Sequence, residues 1–337
     1  MESKNIDRLN IFLIVISLIV AYKIPFELFL FSYAFLGPLH YLTEISWLKE
    51  RNYFIKTKDW IWTFVLFGVV ISVPLLLSLP WFNFIYEIKI VNNFLKELNT
   101  SSNVILLTAL FFSIGLVFLK DLKHTILFLI LSIVASYLIL KYVSFSIVLV
   151  SIFLPTIVHV YLFTLLFMLF GAIKSKSTPG YIGVILLALI PVIITFGNVN
   201  PAQYILSQNT QDNFLASGFH SLNFSLAKLL SSTKDESFSL LSLLGIKIQI
   251  FIAFAYTYHY LNWFSKTSII GWHKGTSNTR LIAIAAIWVA SISFYLYDYR
   301  TGIIVLFFLS FLHVFLEFPL NVVSVKGIAD SLFKKSS

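Results

Sequence analysis

Four histidines and two glutamates stand where an ionisable side chain is expensive. His40, His159, His259 and His313, with Glu44 and Glu317, all fall inside long apolar runs of this 337-residue chain. An ionisable group in hydrocarbon costs several kcal/mol unless it faces other helices and finds a partner, so each of the six is a candidate for function. Glu44 follows His40 by four residues, and Glu317 follows His313 by four. On a helix that spacing puts each pair on one face, with Cβ atoms about 5–6 Å apart. Imidazoles supply nitrogen lone pairs without net charge, and a carboxylate offsets the charge of an ion. The set therefore suits a divalent transition metal, Fe(II) first and Zn(II) as the alternative. The expected ligands are His40, His159, His259 and His313. Glu44 and Glu317 are expected as catalytic carboxylates that receive a ligand's second ring N–H, or as ligands themselves. Taken singly, an intramembrane His is more often a hydrogen-bonding contact between helices than a ligand.

The elements that must position these residues are membrane spans. Hydrophobic residues make up 58% of the chain and charged ones 12%, against about a quarter charged in a soluble domain. That excludes a soluble globular protein and a disordered one. The formal charge of +9 reads on so apolar a chain as orientation signal, not as a nucleic-acid footprint. There is no Cys, hence no disulfide and no thiolate ligand. A helix needs about 20 apolar residues to cross the bilayer. Ten segments qualify at 9–22, 26–48, 60–79, 103–119, 124–141, 144–173, 181–197, 246–265, 281–298 and 301–323.

The expected fold is thus all-α: one polytopic integral membrane helix bundle over residues 1–337, of about ten transmembrane helices. With both termini cytoplasmic, 16 of the 24 Lys and Arg fall on the inner connections, as the positive-inside rule requires. The expected location is the bacterial inner (plasma) membrane. Pro155 should kink or split the sixth span. The longer connections, 80–102 and 198–245, are expected at the membrane interface and as a surface loop with a short interfacial helix around LNFSLAKLL. In this topology the four histidines lie on the second, sixth, eighth and tenth spans. Each is then roughly 10–22 Å from the cytoplasmic edge, so all four can share one layer.

Tyr256, Tyr260 and Trp263 share a helical face with His259, and Asn262 stands among them. These four are candidates to hold an apolar substrate, although an aromatic stripe serves equally as bundle core or interfacial belt. No Gly-rich phosphate loop, no DDxxD, no Gly-x-Ser-x-Gly and no HxxHH cluster occurs. Diphosphate–Mg²⁺ chemistry, serine hydrolysis and eight-His di-iron chemistry have no support.

Gly37-Pro38-Leu39-His40-Tyr41-Leu42-Thr43-Glu44 resembles the Gly-x-Pro-His-Gly-Ala-x-Asp stretch of the Brp/Blh family, membrane enzymes that cleave β-carotene to retinal. The likeness covers eight residues. The Pro is displaced by one, Tyr41 replaces a Gly and Glu44 an Asp, and His313 with Glu317 stands where the family has two histidines four apart. The resemblance implies an all-helical fold, His40 as an iron ligand and Glu44 as the counterpart of the Asp. The expected function is a non-haem iron oxygenase acting on a lipid-soluble polyene or isoprenoid, with membrane lipids as a further partner. A zinc-dependent lipid amide or ester hydrolase and a transporter with an intramembrane His/Glu proton or cation site are the alternatives. Transporters often show two related halves, and the sequence has no internal repeat.

Overall fold

The computed structural model describes residues 3–143, 145–230, 238–272 and 276–333. Every regular element among them is helical: α1 (Ser3–Lys23), α2 (Pro25–Phe31), a π-helical turn (Ser32–Leu36), α3 (Gly37–Glu50), α4 (Ile61–Leu76), α5 (Asn83–Tyr86), α6 (Lys89–Phe118), α7 (Leu122–Tyr142) and α8 (Ser146–Val148). A second π-helical segment (Leu149–Phe163) leads into α9 (Thr164–Ser175), α10 (Thr178–Phe196), α11 (Gln208–Ala216), α12 (His220–Leu230), α13 (Leu243–Lys266), α14 (Asn278–Tyr297) and α15 (Tyr299–Phe333). Short 3₁₀ turns join some of them.

Eight helices among the described residues are long and apolar enough to cross a membrane: Lys4–Lys23, Lys58–Leu76, Lys89–Phe118, Leu122–Tyr142, Leu149–Ser175, Thr178–Phe196, Asn278–Tyr297 and Tyr299–Phe333. The chain is a multi-pass, membrane-type helical protein. The two other expected spans, 26–48 and 246–265, are helical but less apolar. The reason is their cargo: His40, Thr43 and Glu44 on one, Gln249, Thr257, His259 and Asn262 on the other, all buried. Polar groups dilute the hydropathy of the helices that carry candidate chemistry.

Two compact units make up the chain. One comprises residues 1–40, 156–282 and 328–337. At its centre α13 is buried nearly all round, every side chain from Ile252 to Tyr260 included, as befits a helix surrounded by others. α1 and α2 pack on α13, and α10 packs on α1, α9 and α13. Ser32 and Thr257 share a hydroxyl–hydroxyl hydrogen bond of 2.8 Å, a small polar contact of the kind that lets helices approach closely in lipid. The other unit comprises 41–155 and 283–327, where α6 packs on α4 and α7.

Pro155 does disturb the sixth span, and it does so by widening it. A proline removes a backbone donor and its ring presses on the carbonyl four residues back. The 15-residue segment Leu149–Phe163 is π-helical throughout, and its i→i+5 bonding accommodates both effects.

The long connections are more ordered than a polar loop. Residues 89–102 are the first turns of α6, continuous with the expected fourth span. In 198–245, α11 and α12 belong to the first unit, where α11 packs on α2 and α12 on α13. Phe214 is 1% exposed and stands edge-on to Phe26 at 5.0 Å. Asn223 Nδ2 donates to Gln249 Oε1 at 2.9 Å, and Gln249 Nε2 donates to the Pro25 carbonyl at 3.2 Å.

Candidate metal centre

The π turn Ser32–Leu36 sets the phase of α3. Its closing bond runs from the Gly37 N–H to the Ser32 carbonyl, five residues back. Pro38, which has no N–H to offer residue 34, follows at once. Beyond it α3 is regular, so His40 and Glu44 lie one above the other on one face. On α15, His313, Glu317 and Asn321 make a second row at the same four-residue spacing. All six sequence-derived candidates are buried, from 1% exposed at His40 to 7% at Glu317.

In the second unit, Glu44 and His313 each offer one ligand atom, and these atoms lie within 4.8 Å of each other. His40, in the first unit, stands one helical turn before Glu44 on α3. Tyr41 lies flat on the His313 ring, with centroids 4.2 Å apart and planes 23° from parallel. Glu44 and Asn321 are among the neighbours of Glu317.

Three of the histidines also meet ring to ring. The centroids of His40 and His259 are 4.6 Å apart, and those of His159 and His259 5.2 Å. His40 Nε2 and His259 Nε2 face each other at 3.0 Å. Two imidazole nitrogens bound to one ion at about 2.0–2.1 Å stand about 3.3 Å apart in tetrahedral geometry, so this pair is close to the spacing of shared ligands. Behind it, His259 Nδ1 lies 2.7 Å from the Thr164 hydroxyl oxygen.

The residues expected to hold a substrate divide. Tyr260 and Trp263 stand against His40, with ring centroids at 5.2 Å and 5.7 Å. Tyr256 belongs to an aromatic cluster with Phe29 at 5.2 Å, Phe219 at 5.8 Å and Tyr33 at 5.9 Å. Asn262 is buried, and its side-chain oxygen has no hydrogen-bond partner among the described residues.

Sequence reasoning passed over Tyr41, Thr164 and Asn321. Asn321 continues the four-residue row of His313 and Glu317, a signal that was available. Tyr41 and Thr164 left none, because their roles depend on which helix lies opposite. No family model, curated protein or solved structure matches the chain.

Proposed function

We propose that this protein is a membrane-embedded, metal-dependent enzyme, a non-haem iron oxygenase acting on a lipid-soluble polyene or isoprenoid. The observation that carries the reading is a set of buried donors within each unit: Glu44 and His313, with ligand atoms within 4.8 Å, and His40 and His259, with Nε2 atoms 3.0 Å apart. His40 and Glu44 stand one turn apart on α3, and the proposed ligands are His40, His313 and Glu44. Two histidines and one carboxylate on one side of an ion leave positions open, the ligation typical of Fe(II) oxygenases. His259, with its Nε2 at 3.0 Å from that of His40, is the next ligand, and His159 stands beside it.

Iron would supply the activation of O₂ there. The chain's own residues do the rest. Tyr260 and Trp263 give the apolar substrate a rigid aromatic wall beside His40. Burial keeps bulk water from the reacting carbons. Carotenoid-type cleavage needs no further reductant, because one conjugated double bond and one O₂ become two carbonyl groups. The same reading takes ten spans with both termini cytoplasmic, in a bacterial plasma membrane from which a lipid-soluble substrate enters sideways. The choice of a polyene rests on the resemblance around His40.

Elemental analysis of detergent-purified protein tests the metal. About one equivalent of iron per chain is expected, falling to background in His40→Ala/His313→Ala. Bleaching of β-carotene only in the presence of O₂ tests the reaction. The same donor set serves zinc hydrolases. Zinc in place of iron, with oxygen-independent release of fatty acid from a lipid amide, would replace the oxygenase reading with a hydrolase. A wild-type chain without metal would remove both.

A further inference from the structure

The Thr164 hydroxyl makes two short contacts and has one hydrogen. It lies 2.8 Å from the Val160 carbonyl and 2.7 Å from His259 Nδ1. A carbonyl oxygen only accepts, so the hydroxyl hydrogen goes to Val160. The second contact must then be an N–H from His259, donated by Nδ1 to the lone pairs of the Thr164 oxygen. A neutral imidazole carries one N–H, so His259 Nε2 carries no proton and presents its lone pair. That nitrogen is the one facing His40 Nε2 at 3.0 Å.

The π-helical segment puts Thr164 there. In an α-helix, residues five apart are turned about 140° from each other, and His159 and Thr164 would look in different directions. The wider helix over Leu149–Phe163 brings both to the same partner: His159 meets the His259 ring at 5.2 Å and Thr164 its Nδ1. Both Thr164 and His259 are buried, so water does not compete for the bond.

We propose that Thr164 is a positioning residue that locks His259 in the Nδ1–H tautomer and aims its Nε2 lone pair at the metal. This deepens the metal-centre reading and rests on it. Groups that hold a ligand's second ring nitrogen typically contribute 10–100-fold in metal affinity, and a buried threonine in a re-phased helix fills that place here.

The test is Co(II) binding, read by titration and by the visible ligand-field spectrum, in full-length protein in detergent micelles. Thr164→Val keeps the shape and loses the hydroxyl. It should bind Co(II) about 10–100-fold more weakly with a shifted spectrum, while Thr164→Ser restores both affinity and spectrum. A second measurement needs no variant at position 164. In ¹⁵N-histidine-labelled metal-free protein, the resonances absent from His259→Gln should be those of an Nδ1–H imidazole. Wild type and Thr164→Val with the same affinity and spectrum, or an Nε2–H tautomer at His259, would overturn this inference and leave the metal centre standing. A wild-type protein that binds no Co(II), Fe(II) or Zn(II) overturns both.

Discussion

Replacing Gln249 with Leu should loosen α12 from the bundle without unfolding the protein. Asn223 and Gln249 are both 0% exposed. Their amide–amide bond of 2.9 Å is the polar link between α12 and α13. The substitution removes the acceptor and leaves the Asn223 amide a buried donor with nothing to bond. A stranded polar group of this kind costs about 1–3 kcal/mol, equivalent to roughly 5–150-fold in an equilibrium constant. Local opening of α12 should become more frequent by that factor. Hydrogen–deuterium exchange on peptides from residues 208–230 measures it directly, with peptides from α6 and α7 as unaffected controls. The double variant Asn223→Leu/Gln249→Leu removes both amides at once, and an apolar pair in place of a bonded pair is nearly neutral. It should recover part of the protection, since both variants lose the Gln249 bond to the Pro25 carbonyl. Unchanged exchange in Gln249→Leu, or a double variant as labile as the two losses added, would show that the buried amides do not hold the connection.

Three further outcomes follow from the geometry. Glu44→Gln should weaken metal binding more than Glu317→Gln, since Glu44 offers a ligand atom within 4.8 Å of that of His313; parallel titrations with Fe(II) under argon rank the two, and the reverse order would assign the ligand to Glu317. Gly115→Ala should destabilise the contact of α6 with α7 by about 1–3 kcal/mol, because the new methyl would meet the Phe128 ring, with two ring carbons at 2.9 Å and a third closer still; SDS-induced unfolding followed by circular dichroism reads the loss, and Phe128→Leu in the same chain should return part of it. Asp121 caps α7 by accepting the His124 N–H, and that bond, with the His124 side chain, holds its carboxyl below the usual carboxylate range. A group with a lowered folded-state pKa stabilises above its unfolded value and ceases to as the pH falls through the folded one, so protection of the His124 amide should persist at neutral pH and vanish only below the ordinary Asp titration. Asp121→Asn should flatten that profile.

The sequence by itself settles what depends on composition and on position along a single helix. An apolar content of 58% with 12% charge leaves no soluble alternative, since too few polar residues are available to cover the surface. The His40/Glu44 and His313/Glu317 pairs are legible because a four-residue step closes one helical turn whatever surrounds it. The same logic accounts for what pattern reading left out. His40 and His259 are 219 residues apart, and no periodicity tells which faces of two helices will meet. Thr164 is five residues beyond His159, out of phase on an α-helix and in phase only because the span around Pro155 is π-helical. Tyr41, the residue after His40 on α3, meets the candidate residues through the His313 ring, 4.2 Å away. The connection 198–245 reads as a surface loop with a short interfacial helix, since its amides match the polarity of exposed turns. Tertiary structure buries one of them, Asn223, whose Nδ2 donates to Gln249 Oε1. Local rules fix spacing along an element; partners across elements, and the pitch of a helix that proline has widened, are set by packing alone.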